Sequence, residues 1–493
     1  MERIKMHPMR ATVDEKYVGF RPNSGSIKPV HISSGAFRAI LGETFSAEGI
    51  KRLSYVSNAK GEPPKWRDKK STREFMDEHD ALDSEFLDEH FEAFRGVLQK
   101  LVSVDNGVYG IDDGMLSYTA GSSAFVVAKG MLEDAGDFIG AVIKTYCPEL
   151  GDYISDILKQ EGDPISLVFE PVIKIGERKQ YNQIPLDEIE AFVMMNLQVK
   201  AYLDSLKKAG LCIKSNLEVH PNRLTQLRLF NLFCIFFVVR YLSVLESFYC
   251  GDMKRPILLD FSGDNKSSVA RTSVLSYSQL HKSISRFYAW GFAQQLKEQW
   301  SKDDLLASVV PIYEDKLDKN GNQVEPKNKE GLANMWQIAK DDASNASDED
   351  AYIIFGTAIY DMIALEATSH PVNYLRKLGM EIGLLYPPTN FHIDKRFALS
   401  EDMIEMILRC CVLPNETLTA VELRSRLWDR FGIVVGGGEN DISRLSEMGS
   451  IVYADSDALQ KNFLSFADIL QNMGFAEQLP DGILRICFGG TTV

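Results

Sequence analysis

The chain has 493 residues, of which 45% are hydrophobic and 25% charged, and a formal net charge of −15. Those proportions are those of an ordinary soluble globular protein, and the length calls for about two to four domains. The acidic balance disfavours nonspecific binding to nucleic acid or to an anionic membrane, unless a local basic patch overrides it.

The opening MERIKMHPMRATVDEKY has no apolar stretch of signal-peptide length. The most apolar run, Leu232 to Val239, lies between Asn231 and Arg240 and is far shorter than the roughly 20 residues that span a bilayer. It therefore reads as a buried helix, and no membrane partner is expected. The seven cysteines are scattered without a CxxC pair, and Cys234, Cys410 and Cys487 sit in apolar settings. Free, mostly buried thiols in a reducing cytoplasm are the expectation.

In chain order, residues 1–70 read as irregular apart from a short helix at Ser34–Leu41. A helical pattern emerges from Ser71, with eight acidic and no basic residues between Asp77 and Glu92. Helices are expected over Ala120–Tyr146, Pro185–Lys208 (stopping at Gly210) and Pro221–Tyr249, the last as the central core helix. A strand candidate covers Ile165–Ile175. Ile257–Phe261 reads as a short buried strand delivering Asp260 into a polar loop, before a long helix over Val269–Trp300. Residues 313–350 lose periodicity and read as an exposed insertion, with a hairpin turn at Lys319–Asn322. Helix returns at Ala351–Leu378, and Tyr386-Pro387-Pro388 marks a domain boundary.

Beyond that boundary Ser400 caps a helix reaching Val412, and Thr419-x-x-Glu422 is a capping box. A short helix follows over Asn440–Met448. Leu459, Phe463, Phe466 and Leu470 recur at i, i+4, i+7 and i+11, and a final hairpin surrounds Pro480-Asp481-Gly482. The fold class expected is mainly α with small β elements. It comprises an irregular segment (1–70), a helical core domain (71–386) and a C-terminal winged-helix-like module (387–493). Such modules commonly read DNA. Here, residues 398–493 carry 14 Asp/Glu against 7 Lys/Arg, which favours a protein partner over a phosphate backbone.

Candidate sites are few. Asp260, Ser262 and Asp264 resemble the metal-ion loop of von Willebrand A domains over five residues, although an acid replaces the second serine. The plainer expectation is that Asp260 caps its loop and the next helix. Asp77-Glu78-His79 recurs as Asp88-Glu89-His90, placing the imidazoles roughly 16 Å apart by helical rise, too far to share one metal. Gly436-Gly437-Gly438 is expected to be a turn that needs positive φ. Lys51, Arg52, Lys65, Trp66, Arg67, Lys69 and Lys70 form the one basic stretch with interleaved aromatics, a candidate nucleic-acid contact. Arg240, inside the apolar run, is expected to hold a carboxylate or helix-end carbonyls. Arg424, Arg430, Glu439 and Asp441 are candidate partner-binding groups. No catalytic residue, resident metal or cofactor is assigned, because no complete nucleophile, metalloprotease or kinase motif occurs.

The block LWDRFGIVVGGGENDISRL, followed by DALQKNFLSFADILQNMGFAEQLPDGILRI, resembles the tail of accessory proteins in bacterial multi-gene anti-phage systems, phosphorothioation-linked restriction loci among them. The resemblance implies a non-enzymatic structural or adaptor subunit that assembles with an ATPase, helicase or nuclease, with DNA contacted indirectly. The alternatives are a metal-dependent nuclease or phosphate-processing enzyme centred on Asp260 and Asp264, and a winged-helix DNA binder.

Overall fold

The computed structural model describes residues 3–22, 27–45, 89–90, 93, 134–160, 178–180, 197–251, 255–313, 328–366, 371–388, 394–449, 451–480 and 483–488. In these the protein is mainly helical with a few small sheets. The N-terminal stretch, expected to be irregular apart from a helix at Ser34–Leu41, is mostly helical where it is described. Helix α1 (Met6–Val13) runs into a π-turn over Asp14–Val18, and α2 spans Pro29–Leu41. Met6, Met9 and Val13 fall at i, i+3 and i+7 and are all buried. Two turns of helix carry too few repeats for that pattern to stand out.

Strand β1 (Glu43–Phe45) pairs antiparallel with β2 (Arg178–Gln180). Helix α3 (Asp134–Tyr146) lies against α2, and a Cβ on its Gly140 would stand 2.7 Å from the Ala36 Cα. Glycine is what lets these two backbones approach. Across the same contact Arg38 donates through Nε and Nη2 to Asp137 Oδ1 at 3.0 and 2.8 Å, both side chains fully buried.

Helix α4 covers Pro148–Lys159, and α5 covers Leu197–Val219. The expected stop at Gly210 does not occur. A Cβ there would meet Cys147 Sγ at 2.8 Å, so this glycine serves close packing against the start of α4 and not helix termination. Helix α6 (Arg223–Tyr249) is capped by Asn222, whose side chain accepts from the Thr225 N–H. It is long and apolar enough to cross a membrane, yet 83% of its apolar window is buried inside the protein. Phe230, Phe233, Phe236 and Phe237 are all buried on it, each contributing about 1.5–3 kcal/mol. It is the core helix the sequence implied.

Strand β3 (Ile257–Leu258) leads to α7 (Ser268–Gln299) and α8 (Lys302–Ala307). The next helix, α9 (Lys329–Ser344), lies within the stretch expected to be an exposed insertion. Leu332, Trp336, Ala339 and Ala343 bury a narrow stripe against α10 (Asp348–Glu366), and Trp336 is 1% exposed. Two of the four stripe residues are alanines, which is why composition masked the period. Residues 314–327, with the Lys319–Asn322 turn, lie outside the described residues, as does the Ile165–Ile175 strand candidate. Helix α10 packs along α7, and α11 (Pro371–Glu381) restarts the chain at a first-turn proline.

Strands β4 (Leu385–Tyr386) and β5 (Arg396–Phe397) pair with one another, so the expected boundary at Tyr386–Pro388 falls within a hairpin. Then come α12 (Glu401–Arg409), β6 (Leu418–Thr419), α13 (Ala420–Phe431), β7 (Ile433–Val434), α14 (Asp441–Ser446), α15 (Ser456–Asn472), β8 (Ala476–Gln478) and β9 (Leu484–Ile486). Ser400 caps α12, and Thr419 and Glu422 form the capping box that opens α13. The sheet order is β6-β9-β8, all antiparallel.

This C-terminal stretch is stitched into the helical body. Strand β7 pairs in parallel with β3, and Leu259 bridges in parallel to Phe397. Asn216 of α5 donates to the carbonyls of Arg409 and Val412 at the end of α12. One hydrophobic cluster runs from Ile4 to Ile486 and includes residues on both sides of position 387.

Candidate functional site

The two parallel strands β3 and β7 deliver their carboxyl ends to one place, and the sequence singled out residues at both. Asp260 follows β3. Its Oδ1 accepts from the Ser262 N–H at 2.9 Å and the Ser262 hydroxyl at 2.6 Å. Its Oδ2 forms an ion pair with Arg396 Nε at 2.6 Å, and the carboxylate is almost wholly buried. Ser262 Oγ in turn meets Ser267 Oγ at 2.8 Å, and Ser267 caps α7 by accepting from the Ala270 N–H. Asp264 is exposed and accepts from the Lys266 N–H. Each carboxylate in this loop is thus engaged by protein donors, the arrangement of a loop-and-helix cap. Among the described residues no three His, Cys, Asp or Glu side chains converge as a metal site would require.

After β7 the chain turns through Gly436 and Gly437, at φ +96° and +75°. A Cβ on Gly436 would stand 2.1 Å from the Leu459 carbonyl, so both conformation and space demand glycine. Gly438 donates its N–H to Asp441 Oδ2 at 2.8 Å. A carboxylate already fills the place where the amide could hold a phosphate.

Between the two strand ends lies Asn462 of α15, 1% exposed. Its Nδ2 donates to the carbonyls of Leu259 (2.8 Å) and Val435 (2.9 Å), and its Oδ1 accepts from the Phe261 N–H (2.7 Å). Sequence reading passed over this residue. Its signal was a polar side chain on the apolar stripe between Leu459 and Phe466.

The arginines of residues 398–493 are occupied internally. Arg409 donates to Glu405 at 2.8 Å and lies over Phe488. Arg424 donates to the Gly437 carbonyl and stacks on Phe463. Arg426 grips both oxygens of Glu416, holding that carboxyl below its ordinary range. Arg430 reaches the Cys410 carbonyl, Arg444 lies on Trp428 beside Asp441, and Arg485 pairs with Glu477. Of the four candidate partner-binding groups, Arg424, Arg430 and Asp441 therefore make internal contacts, and Glu439 is exposed.

Arg240 departs from expectation. Its Nη1 is buried without a hydrogen-bond partner, and among the described residues no carboxylate neutralises it. The thiols of Cys147, Cys212, Cys234, Cys410 and Cys411 are free and buried, and burial pushes Cys147 up to about 11. Such thiols are packing groups, not nucleophiles. The basic stretch Lys51, Arg52, Lys65, Trp66, Arg67, Lys69 and Lys70 lies outside the described residues. So does His79, while Glu89 and His90 are exposed on a helix. No family model matches this chain, and no match was found among curated proteins or solved structures.

Proposed function

We propose that the protein is a non-enzymatic adaptor subunit of a multi-protein complex, of the kind found in bacterial anti-phage or DNA-processing systems. Its last hundred residues would be a winged-helix-like module that docks on a basic protein surface. The order α12-β6-α13-α15-β8-β9 and the strand order β6-β9-β8 support that module, with residues 433–455 inserted before the helix that would read DNA. That helix, α15, carries Lys461 as its one cation and Asp457 and Asp468 on its exposed surface.

The observation that carries the reading is the split in charge. All six arginines of residues 398–493 have internal partners, while Glu401, Glu422, Glu439, Glu447, Asp457 and Asp468 are exposed. A surface so arranged attracts cationic polypeptide and repels phosphate. The commitment of Asp260 to Ser262 and Arg396 weighs against the rival reading of a metal-dependent nuclease centred there.

Co-expression with the products of flanking genes tests the proposal. A retained partner, released by salt and by combined Glu439→Lys, Asp457→Lys and Asp468→Lys substitution, is the expected result. A chain that purifies alone from all of them overturns it. Mg²⁺-dependent DNA cleavage that disappears in an Asp260→Ala, Asp264→Ala variant would establish the enzyme instead.

A further inference from the structure

At the amino ends of β3 and β7, opposite Asp260, lies a partly open cavity of about 440 Å³. Helices α5 and α6 and the last turn of α13 form its walls, with Tyr202, Phe237, Arg240, Arg255, Trp428 and Gly432 among the lining. The volume is that of an ordinary small-molecule site, and the lining has the usual mix of aromatic surface and a few polar groups.

Arg240 sets this cavity apart. Three other enclosed arginines are each matched by an acid: Arg38 by Asp137, Arg255 by Glu246 at 2.5 Å, Arg396 by Asp260. Arg240 has an enclosed Nη1 with no acceptor, and its Nη2 lies 3.9 Å from where a Cβ on Gly432 would stand. Burial pushes the guanidinium down to about 10, which still leaves it charged at neutral pH. A half-buried cation without a partner is costly unless something else completes it.

The surroundings favour an anion. Arg255 and Arg430 join Arg240 on the lining, Arg255 being held together with Arg286 by the Glu246 carboxylate. Two features oppose it: Asp429 on the rim, exposed and accepting from the Ser425 hydroxyl, and the carboxyl end of α13. The helix end amounts to roughly half a negative charge, against three guanidinium groups on the lining.

We propose that this cavity binds a small organic anion through a phosphate or carboxylate group held by the Arg240 guanidinium, with Tyr202 and Trp428 lining the remainder. A planar guanidinium with free N–H groups matches either oxyanion in bidentate geometry. The site is independent of the docking surface proposed above.

Calorimetric titration of the full chain with inorganic phosphate, adenosine monophosphate and citrate, each matched in ionic strength with chloride, tests the proposal. Saturable one-to-one binding of at least one probe is expected. Arg240→Met should weaken it at least tenfold. Ala201 is exposed at the cavity lining, so Ala201→Trp should obstruct entry while leaving the charge and the core intact, and it carries the test if Arg240→Met does not fold. Competition between phosphate and the nucleotide assigns the site to phosphate, and binding of citrate alone assigns it to carboxylate. Absence of saturable binding for all three probes, or binding unchanged in the variants, overturns the proposal.

Discussion

The two ends of the β3–β7 ladder make opposite use of buried polarity. At the carboxyl end the polar groups are engaged: Asp260 by hydrogen bonds from Ser262 and an ion pair with Arg396, Asn462 with three backbone groups, Gly438 with Asp441. At the amino end Arg240 faces a cavity without one. A closed network fixes the fold, because each member is costly to disturb. An open one lowers stability and is retained where a ligand can complete it. Polar clustering alone would have pointed to Asp260; the accounting of partners points to Arg240 instead.

Substitutions can break or sharpen that contrast. The largest effect is expected for Asn462→Leu, which strands the Leu259 and Val435 carbonyls and the Phe261 N–H. A loss of about 4 kcal/mol in denaturant unfolding should follow, since each buried unsatisfied group costs roughly 1–3 kcal/mol. Gly436→Ala forces a left-handed residue against the Leu459 carbonyl, and about 2–3 kcal/mol should be lost. For Asp260→Asn, which removes the charge facing Arg396, about 2 kcal/mol is the expected loss. Arg240→Met should do the reverse: without added anion, stability stays level or rises by about 1 kcal/mol, as replacement of a buried charge by an apolar side chain often does. A drop as large as that of Asp260→Asn would mean that Arg240 belongs to the closed network after all.

Local pattern made part of this legible. The Leu459–Leu470 stripe, the Ser400 and Thr419 caps and the apolar circumference of α6 were readable because each is written within one or two helical turns. Pairing of β7 with β3 was not, since partners 176 residues apart (433 − 257) leave no shared local signature. Helix α9 was hidden by a stripe of Leu332, Trp336, Ala339 and Ala343 among polar residues. Gly210 read as a stop because sequence cannot distinguish a glycine that ends a helix from one that admits a neighbour such as Cys147. Arg240 stands out in the sequence by its apolar context, but that its Nη1 lacks a hydrogen-bond partner is a property of the folded chain alone.

The long reach of the ladder also has a temporal side. During translation Leu258 leaves the ribosome 204 residues (462 − 258) before Asn462, the residue that ties the ladder's strands together. At roughly 5–20 residues per second this is a wait of about 10–40 s. Through that interval the nascent helical body must shield an apolar strand edge whose companion has yet to be synthesised, which makes this interval the one in which a chaperone would matter most.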